Sequence, residues 1–516
     1  VTAALVHRRL LPATDAPKFG AKLLAAALLV VVADLLFYER VAGISLPLFL
    51  ALIAATLLAT SLRRKHLATS SWAALVLCFG LLPLAENVSV LSMALGFGAL
   101  AVFSLAITGR LRRSLARIVW QIAGFLLAVA FRFVPDMVRW RVASRKVAGR
   151  LRLSGVASWV LPVGLGLVFV LLFGIANPIV EKWLDMISLW RLFDLLDAFR
   201  TAFWMLVLMV VWGFLRPRVS WFQLRRPPVD LIGPVKPREA GTPGYFFDAM
   251  VGEVAILRAL VIFNALFAVE TVLDIAYLWG GVALPDGMTY AAYAHRGAYP
   301  LIVTALLAAA FVLVATREGG KAGRNPLVRV LVYVWTAQNI MLVIFSILRL
   351  DLYIDVYSLT YWRVAAFIWM GLVAVGLVLI IVRIATGRSN DWLLSANLAT
   401  LGVTLYACGF VNFAGIIAEW NVDHRPPPDQ TSIFLDTYYL TQLGPEAIPA
   451  IDHLLAAGDT AWPIWISEKR EEMAAAHLQH MQDWRSWTFR GWRLMRYLDQ
   501  HPAMIGSEGQ GEISGE

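Results

Sequence analysis

About eleven stretches of mostly apolar residues, parted by short turns in which arginine recurs on every second side, leave this chain one solvent for most of its length, the lipid bilayer. The stretches are 23–37, 44–62, 72–86, 88–108, 155–177, 199–215, 251–279, 299–316, 327–348, 361–382 and 393–417. Each is long enough, or nearly so, at about 1.5 Å per residue to cross roughly 30 Å of hydrocarbon. Backbone groups find no water there, so the stretches are expected to be helices; a barrel would need a polar alternation that these runs lack. The expected fold class is all-α, a polytopic transmembrane helical bundle with a small helical unit outside the membrane.

Composition agrees with lipid as the solvent. Of 516 residues, 59% are hydrophobic and 16% charged, where a soluble domain carries roughly a quarter charged residues. The formal charge of +10 sits at helix ends, where it sets orientation and meets anionic headgroups, so it does not point to nucleic acid. Cys78 and Cys408 both lie in apolar runs, which supports neither a disulfide framework nor a thiolate metal site. The polar, basic segment 1–22 precedes an apolar run with no Ala-x-Ala pattern after it and is expected to be retained.

Charge asymmetry predicts the topology. Segment 118–134 is apolar, but Arg110, Arg112, Arg113 and Arg117 precede it and Arg139, Arg141, Arg145 and Lys146 follow it. Crossing would put one basic cluster outside, so this segment is read as re-entrant or interfacial, with Arg132 snorkelling. The inner turns then hold the basic residues, such as Arg63, Arg64, Lys65, Arg216, Arg324 and Arg383, and the outer turns hold Glu39, Glu86 and Asp286. The N-terminus is expected in the cytoplasm and the C-terminus in the periplasm.

The chain divides into a cytoplasmic segment 1–22, a first transmembrane half 23–215, a Pro/Arg-rich cytoplasmic loop 216–249, a second half 250–417, a periplasmic helical tail 418–505 and a disordered end 506–516. In the tail the pieces 433–443, 446–457 and 467–499 carry helical spacing, and the last mixes Trp484, Trp487, Trp492 and Tyr497 with arginines. Such a piece suits docking on the bilayer surface or on the bundle.

Along 250–417 the wording is specific: the run Phe263 to Ala268 leading to Asp274, Leu284 to Tyr290, Tyr293 to Pro300, Thr336-Ala337-Gln338-Asn339, Ser346 to Tyr353 and Ser358 to Arg363. This resembles an uncharacterised bacterial family of multi-pass inner-membrane proteins, the domain of unknown function 4173/4153 type. The likeness covers roughly the second half of the spans and extends more weakly to Asp436–Leu443 and Pro445–Pro449. It implies a bacterial inner-membrane location and a helical fold and leaves activity open. Some relatives bear a carotenoid-oxygenase label, which implies iron held by histidines; the eight His here, mostly far apart in the tail, do not fit it.

The residues that could carry chemistry are polar groups within the later spans, Asn264, Glu270, Asp274, Gln338, Asn339 and Asn412, with Arg349 and Arg363 at outer helix ends. A charge in lipid costs at least about 2.5–3.5 kcal/mol, so these groups should face one another or water. One reading is an outward polar cavity in which Glu270 and Asp274 meet Arg349 or Arg363. The reading favoured by the usual fate of such groups is interhelical hydrogen bonds and ion pairs that lock the bundle. A second candidate is the outer loop with Tyr290, Tyr293, His295 and Arg296, where an interface belt is the commoner role of the aromatics. His477 and His480 lack a third metal ligand, and Gly96, Gly98, Gly164 and Gly166 read as close-packing positions in helices.

No Walker lysine, Gly-x-Ser-x-Gly elbow or kinase set occurs, so no catalytic residue, metal or cofactor is expected and the reading leans away from an enzyme. Two functions remain. One is an envelope scaffold or sensor whose outer tail, through residues 423–499, meets an envelope protein. The other is a secondary transporter with its polar site at Asn264, Glu270, Gln338 and Asn339.

Overall fold

The computed structural model describes residues 16–61, 67–111, 115–138, 140, 198–217, 253–278, 307, 311, 325–425, 435–457 and 464–501. Among them there is no strand. The expected spans 155–177 and 299–316 (apart from Leu307 and Phe311), most of loop 216–249, the end 506–516 and the outer-loop candidates Tyr290, Tyr293, His295 and Arg296 lie outside the described residues. By its contacts the chain forms two compact units, one of Val1–Leu111, Gln121–Leu224 and Trp484–Thr488, the other of Arg112–Trp120, Arg225–Asp483 and Phe489–Glu516.

The first unit contains α1 (Ala16–Phe37), α2 (Ser45–Ser61), α3 (Leu67–Glu86), α4 (Val90–Ile107), the part of α5 (Leu115–Val129) from Gln121 onward and α6 (Ala198–Leu215). Leucine, alanine and phenylalanine fill them, and lipid leaves a helix as the only way to satisfy their backbones. Helices α3 and α4 form a tight antiparallel pair. Their close approach depends on Gly80, where an added Cβ would stand 2.2 Å from the Ala99 Cβ, and on Gly96, where it would stand 2.3 Å from a Leu84 methyl. Of the expected close-packing glycines, Gly98 has open space instead. Ser89 starts α4 with a capping box, accepting from the Ser92 amide at 3.2 Å while the Ser92 hydroxyl accepts from the Ser89 amide at 2.8 Å.

Helices α1 and α6 are antiparallel, since Lys22 donates to the Leu215 carbonyl at 2.7 Å and Asp34 meets Arg200 at the other end. The buried core includes Phe19, Leu50, Leu84, Leu100, Phe125, Trp212 and Phe214. Helix α5 continues as a helical stretch to Val138 and is one of six helices long and apolar enough to cross a membrane. Phe125, Val129 and Phe133, two turns of α5, meet Phe214, Gly213 and Trp212, a single turn at the end of α6, so α5 passes steeply over that end. Its other face leaves Leu127, Phe131, Val134 and Val138 exposed.

The second unit contains α7 (Glu253–Leu278), α8 (Pro326–Tyr357), α9 (Tyr361–Thr386), α10 (Asn390–Cys408) and α11 (Phe413–Asp423), then the tail helices α12 (Thr437–Gln442), α13 (Ile448–Ala456), α14 (Ile464–Met481) and α15 (Phe489–Gln500). Asn325 caps α8 by accepting from the Leu327 amide at 2.9 Å, with Pro326 at the first helical position. Gly387, at φ +66, ends α9 in the left-handed conformation that glycine adopts freely.

Two expectations are corrected here. The segment 393–417 is not one continuous helix but the pair α10 and α11, bent by 71°, because Gly409 closes one helix and Asn412 starts the next. The tail piece 467–499 is likewise two helices, α14 and α15, separated by a 3-10 turn at Trp484–Ser486. Helices of membrane-crossing length number six among the described residues, or seven if the bent pair is one span, and Ser45–Thr60, Ser71–Glu86 and Phe199–Leu215 are shorter apolar helices.

The tail is not independent of the second unit's bundle. Ile354 and Leu359, from the end of α8 and the turn after it, share one buried cluster with Ile417, Val422, Leu440, Ile448, Ile451 and Ile466. Asn421 clamps that turn, its Oδ1 accepting from the Leu359 amide at 2.6 Å and its Nδ2 donating to the Leu359 carbonyl at 3.0 Å.

Candidate functional site

The polar groups expected within the later spans line the seam between α7 and α8. The two helices run parallel, because Glu253 pairs with Asn325, Asn264 with Gln338 and Asp274 with Arg349 in ascending order. At one end the Asn325 amide donates to Glu253 at 2.7 Å. Midway, Asn264 Nδ2 donates to its own Leu260 carbonyl at 2.7 Å and across the seam to the Leu331 carbonyl at 3.2 Å, and Gln338 Nε2 donates to the Asn264 carbonyl at 3.2 Å. Asn339 is buried and donates to the Trp335 carbonyl at 2.7 Å, within its own helix.

At the far end Arg349, 5% exposed, is bonded directly to Asp274, which is fully buried. Glu270, one turn earlier on α7, keeps its carboxylate 3.8 Å from the same guanidinium with its side chain 44% exposed. The i, i+4 spacing of Glu270 and Asp274 puts both acids on one helical face, and Arg349 reaches it from α8. Low dielectric makes the direct pair strong, but the desolvation of both charges offsets much of that gain.

Two candidates stand elsewhere. Arg363 donates to the carbonyls of Tyr357 and Ser358 and lies 4.6 Å from the Tyr353 ring centre, so it covers the carbonyl end of α8. Asn412 accepts from the Gly415 amide at 3.2 Å as the N-cap of α11, a consequence of the bend.

Other polar clusters escaped the sequence reading. In the first unit Asp34 accepts from Arg200 Nε and from Trp204 Nε1, each at 2.8 Å, and Arg200 lies 4.9 Å from the Tyr38 ring centre. The signal was present, since Arg200 and Trp204 are i, i+4 on one helix face and Asp34 is an acid in an apolar run. In the tail Arg470 holds Asp452 with both ends of its fork, at 2.8 and 3.0 Å, and the Tyr497 hydroxyl donates to Asp452 at 3.1 Å. The bond to Asp452 raises the Arg470 pKa, while burial, followed by the Asp452 charge, pushes the Tyr497 phenol up to about 12 from its ordinary 10.0. The neutral phenol therefore stabilises the tail fully below about pH 10, and this contribution is lost as pH rises through about 12. Arg490 donates to the Val411 carbonyl at 3.0 Å, satisfying backbone freed at the bend.

This arrangement binds helices to one another more than it exposes reactive groups. Among the described residues no three histidine, cysteine or acidic side chains come together as a metal site. No curated protein and no solved structure matches the chain. A family model does match, over residues 72–454, which reaches back well into the first half of the spans and so beyond the second-half likeness seen in the sequence. Covering about three quarters of its length, that match makes the chain a member of the family described as Domain of unknown function (DUF4153).

Proposed function

We propose that this protein is a non-enzymatic scaffold or sensor of the bacterial envelope, anchored in the inner membrane by about eleven spans and presenting its helical tail to a protein partner in the periplasm. The observation that carries this reading is the tail's attachment: it shares a core with the end of α8 and is clamped through Asn421. At the same time it keeps large aromatic side chains on its surface, Tyr438 at 67% and Trp465 at 38% exposed. A unit held rigidly while offering exposed aromatics has the anatomy of a recognition surface.

The span count gains support from the parallel run of α7 and α8. Parallel neighbours need a return path between them, and Phe311, from the expected span 299–316, packs 5.2 Å from Phe263 and 5.6 Å from Trp335 at mid-height of both helices. The interfacial reading of 118–134 gains support from the steep passage of α5 over the end of α6 and from its exposed apolar face. Orientation rests on arginine. Lys22, Arg110 and Arg216 gather at one end of the first unit, where Arg110 donates to the Pro217 carbonyl, and the positive-inside rule assigns that end to the cytoplasm. The segment Trp484–Thr488 packs on the turn at the opposite end, the Ile44 amide donating to the Trp487 carbonyl at 2.7 Å.

The test replaces surface, not core. Tyr438→Ser combined with Trp465→Ser should reproduce the envelope phenotype of the gene deletion while the protein accumulates normally; full complementation by that variant overturns the reading. A second reading, secondary transport, draws on the bent α10–α11 pair and the half-exposed Glu270, since interrupted helices and intramembrane acids are the parts from which such proteins build ion sites.

A further inference from the structure

At mid-height of the α7–α8 seam three buried polar atoms have no hydrogen-bond partner among the described residues: Asn264 Oδ1, Gln338 Oε1 and the indole Nε1 of Trp335. They share one slab of the bundle. Trp335 and Gln338 are three residues apart on α8, Gln338 bonds the Asn264 backbone, and the Trp335 ring stacks 5.3 Å from Phe263 and lies 5.8 Å from Phe267, residues that flank Asn264. Trp335 is only 3% exposed, so bulk solvent does not reach it.

Reassigning the amides does not remove the orphans. Turning the Asn264 amide over would aim its oxygen at the Leu260 and Leu331 carbonyls, and turning Gln338 would set oxygen against the Asn264 carbonyl. The orphaned atoms are therefore two acceptors and one donor. Buried groups of this kind are paired in folded proteins, by ordered water where protein supplies nothing. We propose that the seam holds bound water at mid-height, donating to Asn264 and Gln338 and accepting from Trp335.

Among the described residues its polar atoms belong to α7 and α8, and the site goes beyond the scaffold reading, which neither requires nor forbids it.

X-ray radiolysis of the full-length protein in membranes tests this directly, because hydroxyl radicals made from bound water oxidise the side chains beside it. Relative to intrinsic reactivity, Trp335 should be oxidised at least about tenfold faster than Phe345, which is fully buried in an apolar setting on the same helix. Protection of Trp335 equal to that of Phe345 overturns the proposal.

Discussion

Asp274 and Arg349 show how much a single pair decides inside a bundle. Both are almost wholly removed from solvent and bond each other, so removing one leaves the other charged in a low-dielectric site. Arg349→Met should lower the stability of the detergent-solubilised protein by about 3–5 kcal/mol, and Asp274→Leu added to it should restore most of the loss. Size-exclusion profiles after heating would read this, and a double variant no more stable than the single one would sink the account. The residues of this pair were legible in the sequence as charges in apolar runs; their partnership was not, because Arg363 was an equal candidate until α8 proved to extend past 348 and to end at Tyr357. Asp34 and Arg200 were missed for a related reason. Each sits near the end of its own span and looks like an end anchor, and only the antiparallel contact of α1 and α6 brings them together.

Elements were most legible where the apolar run was long and uninterrupted. Helices α4, α7 and α9 begin and end within a few residues of the expected spans. The failures were at interruptions. The polar atoms of Asn412 compete for backbone amides and start a new helix after Gly409, where hydropathy alone reads one span. The sequence also did not show that the apolar face of the tail is completed by the end of α8. Asn421 carries a prediction at this scale. Asn421→Ala leaves the buried amide and carbonyl of Leu359 without partners, at about 1–3 kcal/mol each. Limited proteolysis should then release the tail faster while the spans stay intact; unchanged resistance would show that apolar packing alone holds it.

For the whole molecule the central claim is orientation. Alkaline phosphatase joined after Gln500 should be active and a green fluorescent fusion at the same point dark, as a periplasmic tail requires; the opposite pair of results would reverse the topology and with it the proposed partner. The family match over 72–454 spans parts of both units, so whatever the family does is not confined to the seam of α7 and α8.

Composition and the period of the apolar runs were enough to determine an all-helical chain built for lipid, because a backbone without water has so few ways to satisfy itself. Arginine spacing was enough to suggest a direction. Which polar groups meet, where a span breaks, how α5 passes over its neighbour and that the tail completes a core were decided by tertiary structure, since each depends on residues from distant helices arriving at the same depth, and no local pattern records that.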